Sequence, residues 1–264
     1  MNTDFLIIFS GNPDLQPETS ETFNVGAVWR PTDALSLSLD YWDITQDSKI
    51  DEVPRIFIYT NECNNQASTI CVRGAPLPGD TLGALSFLRS GFVNIGSQSA
   101  TGLDFSGYYN MGMGAGSLTL GLDWTHQLEF EKVVLDSTGL AFETQDLNGE
   151  YEYPEDRIAL TGQYNIGDWG VNSRVNYISS FEDFRLLSPP VGSSGHTVGS
   201  MTTMNLQLTY TGIKKTKVAL SIDNVFDELP PFAIGDGDTD LYGYVRDIHS
   251  PLGRFCSLRT TYTF

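Results

Sequence analysis

The chain has 264 residues, and its 15 basic against 33 acidic side chains give a formal net charge of −18. This excess of acid disfavours a nucleic-acid partner, because phosphate binding requires a basic surface. An aromatic content of 12% argues against intrinsic disorder, and no apolar run is long enough to predict a transmembrane helix.

Alternation of apolar and polar residues predicts nine β-strands and essentially no helix. In one segment, Met204, Leu206 and Leu208 share one face. Asn205 and Gln207 lie on the other, so the two faces of the strand are expected to meet different surroundings. The predicted strands are 22–30, 34–45, 101–110, 117–130, 157–165, 171–181, 202–210, 218–226 and 253–264.

The connections between these strands alternate strictly in length. The short ones are 31–34, 111–116, 166–170 and 211–217, and the long ones are 47–91, 131–156, 185–200 and 227–250. This alternation predicts that every strand crosses the same thickness, with turns on one side and long loops on the other, as in an outer-membrane barrel. A soluble sandwich would mix its loop lengths.

Aromatic residues near the strand ends, such as Trp124 and Tyr177, fit the girdles of a membrane barrel. A soluble barrel with strand-favouring aromatics is the alternative. An odd number of strands is unusual for a bacterial single-chain barrel, and an open sheet in lipid would expose two unpaired edges. We therefore expect residues 21–264 to be the C-terminal part of a larger all-β, antiparallel transmembrane barrel. Residues 1–20 are expected to be an extracellular loop remnant.

Four stretches resemble TonB-dependent outer-membrane receptors, and they occur in the order that this family uses. They are GNPDLQPETSETFNVGAVWRP (11–31), NIGSQSATGLDFSGYYN (94–110), IDNVFDELPP (222–231) and GRFCSLRTTYTF (253–264). The third carries the family motif at Asn224, Phe226 and Asp227, with Val225 in place of the usual Leu. Asp104, in the second, stands where Glu is commoner.

The resemblance implies a barrel of about 22 strands, closed by an N-terminal plug, of which this chain would hold about the last nine strands. Such receptors import scarce nutrients with energy that TonB supplies, so the implied location is the cell outer membrane. The implied partners are membrane lipid, the TonB complex and a siderophore, carbohydrate or cobalamin-like ligand. No cofactor is implied. The plug and the TonB-contacting segment would lie outside this chain.

The last strand also resembles the signal that the barrel assembly machinery reads in this family. Phe264 is the terminal aromatic residue, and Tyr262 and Leu258 are apolar residues behind it on the same face. The assembly machinery is therefore a further implied partner. A passive porin or adhesin-type barrel, and a soluble β-rich binding module, are the alternative functions.

The cysteines predict one local cross-link. Cys63 and Cys71 lie eight residues apart in a turn-rich segment, CNNQASTIC, and would form a disulfide in an oxidising compartment. Two free thiols are the alternative. The spacing fits no zinc site.

An acidic loop, GDGDTDLYGYVRD (235–247), carries a weak calcium candidate. Its ligands would be Asp236, Asp238, Asp240 and Asp247. Leu241 replaces the glycine of an EF-hand turn, so a solvated acidic loop is the favoured interpretation.

No catalytic motif occurs, and the three histidines lie in three separate segments, so we expect no enzyme. The cargo is not readable from the sequence. The loop aromatics Phe57, Tyr59, Phe184, Phe232, Tyr242 and Tyr244 are candidates either to stack on a ligand ring or to pack the loops together. The overall acidity disfavours an anionic ligand, although Arg55, Arg73 and Arg185 offer local positive charge.

Overall fold

The computed structural model describes residues 6–136, 140–150, 152–183, 195–234 and 242–264. Within these ranges it contains sixteen strands and one helix. The elements are β1 (Leu6–Ser10), β2 (Thr19–Thr32), β3 (Leu35–Asp47), β4 (Ile50–Glu52), α1 (Arg55–Glu62), β5 (Cys71–Arg73), β6 (Leu85–Asn94), β7 (Gln98–Met113), β8 (Gly116–Leu135), β9 (Phe142–Asp146), β10 (Asp156–Ile166), β11 (Trp169–Ile178), β12 (Phe181–Asp183), β13 (His196–Val198), β14 (Met201–Ile213), β15 (Thr216–Asp223) and β16 (Phe255–Tyr262). Across the described ranges, no helix combines the length and apolar character needed to cross a membrane.

Ten strands form one sheet, in the order β16-β15-β14-β11-β10-β8-β7-β3-β2, with β9 paired to β8 beside this path. The nine strands of the path correspond to the nine predicted ones, so the predicted all-β architecture is confirmed. Pairing from β8 through β16 is antiparallel throughout. The strands adjacent in the sheet are those joined by a single turn or a single long loop, as the alternating connections require.

The four short connections are two-residue turns, at 33–34, 114–115, 167–168 and 214–215. Gly114, Gly167 and Lys215 adopt positive φ angles of 60°, 54° and 61°. Such angles let the chain reverse within two residues, and glycine adopts them without steric cost. These tight turns fix the register of each hairpin.

The sheet register separates an apolar face from a polar face. Leu160 lies opposite Leu122 on one neighbouring strand and Val175 on the other. The next residue, Thr161, faces the other way and lies opposite Gly121 and Arg174. The same alternation continues to the C-terminus, where Leu208, Leu220 and Leu258 form one row.

The chain divides into two compact units. The first comprises 1–22, 44–100 and 131–146, and the second comprises 23–43, 101–130 and 147–264. The second unit contains most of the sheet.

In the first unit, β6 is the central strand. It pairs in parallel with β1 and antiparallel with β4 and β5. Helix α1 lies within the long predicted connection 47–91, and it is the one helix of the described ranges, in line with the prediction of essentially no helix. Pro54 precedes its first turn, where a missing N–H costs nothing, and Ile58 packs into a small buried cluster with Leu88 and the two cysteines. The unit therefore has a core of its own.

In the second unit, the predicted strand 218–226 ends early, at Asp223. Asn224 has a φ of 51°, which is incompatible with extended strand geometry. A second buried cluster joins two loops here, through Phe181, Val198, Ala233 and Val245. We call this the loop cap, and it lies in the connections that follow β11 and β15.

Candidate functional site

The loop after β15 is anchored by Asn224. Its side-chain oxygen accepts the Glu228 N–H at 2.9 Å, and its amide nitrogen donates to the Glu228 carbonyl at 2.8 Å. Its own backbone N–H donates to the side chain of Asn205 on the facing strand, at 2.9 Å. Asn224 is 6% exposed, so its polar atoms are satisfied inside the protein. The predicted motif residue thus closes a turn rather than facing open solvent.

Asp227 joins the beginning of the same loop to its end. Its carboxylate accepts the Arg254 N–H at 2.7 Å and lies 3.9 Å from the Arg254 guanidinium. A Cβ at Gly253 would come within 2.6 Å of that carboxylate, so glycine allows this close approach without moving the Asp227 side chain. Phe226, by contrast, is 70% exposed. The Asn, the Asp and the following Gly-Arg pair therefore act together to hold the two ends of the loop.

Above this anchor, the loop cap packs two connections against each other. Asp183 is buried at the end of β12, and one carboxylate oxygen accepts the Ile234 N–H at 2.5 Å. His196 on β13 contacts the Phe232 carbonyl at 3.0 Å. Together with the apolar cluster, these bonds hold the loop after β11 to the loop after β15.

A cavity of about 370 Å³ lies under the loop cap, where the polar face of the sheet meets the anchored loop. We call it the polar-face cavity. Its polar wall contains Asn176, Thr203, Asn205, Asp223, Asn224 and His249, and its apolar wall includes Ile178, Met201, Ile248, Leu252 and Phe255. A concave space of this size with a few convergent polar groups is the usual form of a ligand site.

His249 is the least expected member of this wall. It is 3% exposed, and its ring stacks on Phe181 at 6.0 Å. Neither ring nitrogen has a hydrogen-bond partner among the described residues. Burial lowers the pKa of His249, and the positive charge of Arg157 lowers it further. The imidazole is therefore neutral at physiological pH, with one nitrogen able to donate and the other able to accept a hydrogen bond.

The polar face of β7 and β8, away from the cavity, carries its own hydrogen bonds. Asp123 accepts from Ser106 and Tyr108, both at 2.8 Å. Asp104, which stands where the family more often has Glu, accepts from Thr125 at 2.6 Å. These pairs link β7 to β8 across the polar face, so this face is ordered by side-chain contacts rather than packed as a dry core.

In the first unit, the structure joins Cys63 and Cys71 by a disulfide, with Cα atoms 5.1 Å apart. Arg73 braces the same segment, because its guanidinium donates to the Cys63 carbonyl at 2.7 and 3.0 Å. A third bond reaches the Gly83 carbonyl at 2.8 Å. The positive charge of Arg73 is thus engaged in holding the loop. Arg55 is exposed, and Arg185 lies outside the described residues.

The N-terminal motif stretch binds the central strand of the first unit. The Asn94 side chain accepts the Gln16 N–H at 2.9 Å, and the Asn12 side chain donates to the Phe92 carbonyl at 3.1 Å. Glu18 accepts the Ile50 N–H at 2.7 Å. These contacts give the polar residues of the stretch a structural role in fixing the approach to β2.

The other candidate residues do not form one cluster. Phe57 contacts Phe142 with ring centroids 4.8 Å apart, and Tyr242 contacts Tyr244 at 6.2 Å. The remaining loop aromatics are as follows: Tyr59 and Phe232 are exposed, and Phe184 lies outside the described residues. Of the calcium candidates, Asp236, Asp238 and Asp240 lie outside the described residues, and Asp247 is exposed. In the described ranges, no three His, Cys, Asp or Glu side chains are grouped as metal ligands would be.

The terminal residues lie on the apolar face of β16. Leu258 is 70% exposed and lies opposite Leu220, and Phe264 is fully exposed. The ring of Tyr262 contacts that of Phe264 edge-on, at 5.2 Å.

Sequence reasoning missed His249, Asn176 and Thr203 as members of one site. They come from β11, β14 and a loop, and only the sheet register brings these segments together. No local sequence signal marks such a site.

Comparison with known proteins identifies a family. A family model described as TonB dependent receptor-like, beta-barrel matches residues 2–225. No curated protein matches the chain. Among solved structures, a mutant ferric enterobactin receptor (PfeA) from Pseudomonas aeruginosa is 16% identical, with a TM-score of 0.66, over 98% of this chain and 33% of that one.

Two further solved structures agree with this likeness. The siderophore receptor PirA from Acinetobacter baumannii is 16% identical, with a TM-score of 0.62, over 97% of this chain and 33% of that one. The FrpB iron transporter from Neisseria meningitidis is 12% identical, with a TM-score of 0.57, over 98% and 32%. At these identities the likeness shows the fold. The chain spans about a third of the length of these solved proteins.

Proposed function

This chain belongs to the TonB-dependent receptor β-barrel family, and we propose that residues 21–264 form the C-terminal part of a barrel that imports a scarce nutrient across the outer membrane. In this proposal residues 1–20 belong to an extracellular loop, the apolar face of the sheet contacts lipid, and the polar face lines the lumen. The long loops lie outside the cell and capture the ligand. TonB, acting on segments outside this chain, supplies the energy.

One observation carries this proposal: exposed apolar side chains line one face of strands whose connections alternate between two-residue turns and long loops. Leu120, Leu160 and Leu220 are 44%, 49% and 44% exposed on the isolated chain. A soluble domain would bury such residues, whereas lipid would cover them in a membrane barrel. This favours both membrane alternatives over a soluble binding module.

Family membership favours active import over a passive porin, because these receptors act with TonB, and it favours a transport role over an enzyme. For the cargo, the similar solved receptors are named for ferric enterobactin, a siderophore and iron. We propose a siderophore, a carbohydrate or a cobalamin-like ligand as the cargo class. The polar-face cavity is one concave region on the polar face where part of the cargo could bind.

The test expresses the full-length gene product in an outer-membrane host, with and without a functional tonB gene. We expect the protein in the outer-membrane fraction, with gel mobility that changes on heating. Radiolabelled ferric enterobactin, cobalamin and a maltodextrin serve as uptake probes, and uptake of at least one is expected to require TonB. Equal uptake with and without TonB would favour a passive porin over the importer. Recovery of the protein in the soluble fraction would contradict both the importer and the porin.

We also propose that Phe264, Tyr262 and Leu258 form the signal that the assembly machinery reads. Their exposure on one face of the terminal strand supports this role. Replacing Phe264 with Ala should lower the amount of assembled, heat-modifiable protein, whereas Thr263→Ala, on the opposite face, should not. Equal assembly of the two variants would exclude the signal.

A further inference from the structure

We infer that the turn between β14 and β15 binds the headgroups of anionic phospholipids at the periplasmic surface of the outer membrane, through Lys214, Lys215 and Lys217. We call these residues the lysine turn. The inference rests on the proposed function, because that proposal places the long loops outside the cell and the short turns at the periplasmic surface. It goes beyond the proposed function, since it assigns a lipid class to one point on the barrel.

The lysine turn concentrates positive charge in an acidic chain. It holds three of the five lysines, although the chain as a whole has a net charge of −18. All three residues are exposed, and none forms an ion pair with a described residue. No Asp or Glu occurs between 201 and 222, so no acidic residue of the same hairpin lies near the turn.

The other three short turns carry no positive charge. The first contains Asp33, the second, 114–115, contains no charged side chain, and the third contains Asp168. The Asp168 carbonyl accepts the Thr211 N–H at 2.9 Å, so this acidic turn lies beside the end of β14. One carboxylate against three lysines leaves the local charge positive. The attraction for an anion is therefore confined to one turn.

The backbone of Lys215 is in a conformation that disfavours lysine. Its φ of 61° lies in the left-handed region, where a Cβ is crowded by the following carbonyl oxygen. Gly114 and Gly167 adopt similar angles in two of the other short turns, without that steric cost. A strained residue of this kind is a reason to look for a function. Here the lysine supplies a charge that glycine lacks.

An exposed apolar row lies directly beside the lysine turn. Ile213 pairs with Thr216, and Thr216 pairs with Tyr262, so these residues lie side by side at the end of the strands. Ile213 and Tyr262 are 52% and 54% exposed. An acyl chain on this row would place its headgroup at the level of Lys214 and Lys215, whose long side chains reach toward water.

An aromatic pair lies at the same end of the sheet. Trp169 and Tyr210 lie opposite each other in the register, with ring centroids 4.5 Å apart, and Trp169 is 49% exposed. Both residue types favour the boundary between hydrocarbon and water. The apolar row, the aromatic pair and the unpaired cations together match a phospholipid with a negative headgroup. An acidic protein surface would require the cations alone.

The experiment identifies the lipid beside the lysine turn in the full-length receptor with Cys256→Ser. Ile213→Cys carries a bimane fluorophore in one sample, and Met113→Cys carries it in a second. Met113 is also 52% exposed, but it ends β7 beside the uncharged turn 114–115. The receptor is placed in mixed vesicles in which either phosphatidylglycerol or phosphatidylcholine is brominated. The quenching by the two lipids gives their relative occupancy at each position.

Position 213 should prefer phosphatidylglycerol by about fivefold or more, the factor expected from one lysine near an anionic headgroup, and position 113 should show no preference. The triple variant Lys214→Gln, Lys215→Gln, Lys217→Gln should remove the preference, whereas arginine at the same three positions should keep it. Raising the salt concentration should weaken it, because the attraction is electrostatic.

Two further variants separate charge from structure. Lys49→Gln with Lys132→Gln removes the other two lysines and should leave the preference unchanged. Lys215→Gly relieves the backbone and removes one charge, so this variant should melt at a higher temperature and yet bind phosphatidylglycerol less selectively. Unchanged selectivity in Lys215→Gly would exclude Lys215 from the site.

The inference is overturned if positions 213 and 113 show the same lipid preference, or if the triple glutamine variant keeps the preference. Equal preferences would favour an acidic protein as the partner of the lysine turn. A receptor that inserts into the vesicles without any preference rejects the lipid site and keeps the barrel. A receptor that enters vesicles of neither composition rejects the membrane placement itself.

Discussion

The ten-stranded sheet and the segments that connect its strands differ in how far they expose apolar side chains. In the strands, Leu160 and Leu220 are 49% and 44% exposed on the isolated chain. In the segments that connect the strands of the ten-stranded sheet, Leu88 on β6, Val198 on β13 and Val245 are 2%, 0% and 1% exposed. A water-soluble β-protein shows the reverse, with a dry core between its strands and exposed loops.

This difference indicates which solvent each region meets. The two buried apolar clusters lie in these connecting segments. In water, a segment keeps a fixed structure only if it buries apolar side chains, and these clusters do so. The exposed leucine rows satisfy no such requirement, which supports the proposal that lipid covers them.

The largest effect is expected from a charge on the apolar face. Leu160→Arg, in the middle of β10, should destabilise the folded receptor by about 2–4 kcal/mol, because the guanidinium enters hydrocarbon. Gln163→Arg, on the polar face of the same strand, should change stability by less than about 0.5 kcal/mol. Urea unfolding of the full-length receptor in lipid vesicles measures both. Equal losses of unfolding free energy in the two variants would mean that both faces of β10 meet the same surroundings.

Removing the disulfide should act on the loops alone. The double change Cys63→Ser and Cys71→Ser should destabilise the first unit by about 2–3 kcal/mol, because the loop that the bond closes gains freedom when unfolded. Limited proteolysis should then cut within 55–90 faster, while gel mobility of the barrel is unchanged. Cys256→Ser removes the free, exposed cysteine and serves as the control. Loss of heat-modifiable mobility in the double variant would show that strands and loops are coupled.

Asn224→Ala tests the anchor between a strand and its loop. The change removes two side-chain bonds to Glu228 and replaces Asn, which tolerates a φ of 51°, with Ala, which tolerates it less well, so we expect a cost of about 1–3 kcal/mol. Glycine adopts that angle without steric cost, so Asn224→Gly should destabilise the protein less. The difference between the two variants gives the contribution of the backbone, apart from that of the lost hydrogen bonds. Hydrogen exchange at the Glu228 amide reports the loss directly. Unchanged protection in the alanine variant would contradict the anchoring role.

The smallest effect is expected from acidification of the loop cap. The pKa of His249 is lowered in the folded state, so that state binds fewer protons than the unfolded one. Its contribution to stability is therefore complete above the ordinary histidine pKa of about 6.5 and declines as the pH falls below it. The melting temperature of the wild type should fall more than that of His249→Phe between pH 7.5 and 5.5. Equal falls would exclude this histidine as the cause.

The sequence predicts the strands well because their signal is local. Alternation along 202–210 and 157–165 separates the apolar from the polar face of each strand, and each two-residue turn is marked by short polar or glycine segments. The predicted ends fall short on the loop side of β8, which continues to Leu135, because the alternation there gives way to charged and β-branched residues.

The loop structure is less predictable, because it depends on contacts between distant segments. Strand β6 has the sequence LSFLRSGFVN, which shows no clean alternation of apolar and polar residues. Its buried side carries both Leu88 and Ser90. Its parallel partner β1 lies about 80 residues earlier, as in the pair Leu6 and Phe87. Helix α1 has only eight residues, too few for a clear helical period. The cysteine spacing is the one local feature that indicates how this region is held.

The polar-face cavity shows the same limit. The sequence identifies its polar lining residues as polar positions on separate strands. Only the pairing register of β11, β14 and β15 shows that they lie next to one another. His249 carries no sequence signal at all, since a lone histidine in a loop is common. Its burial follows from the packing of two loops, which no single segment encodes.

The most direct test of the two-faced sheet is a nitroxide scan along 158–165 of β10. Each position is changed to Cys in the full-length receptor with Cys256→Ser, labelled, and placed in lipid vesicles. Accessibility to oxygen, which partitions into lipid, should peak at Ile158, Leu160 and Tyr164. Relative accessibility to a water-soluble nickel complex should instead peak at the residues between them, including Thr161 and Gln163. A scan with no period of two, or with oxygen favoured at the polar positions, would contradict this account.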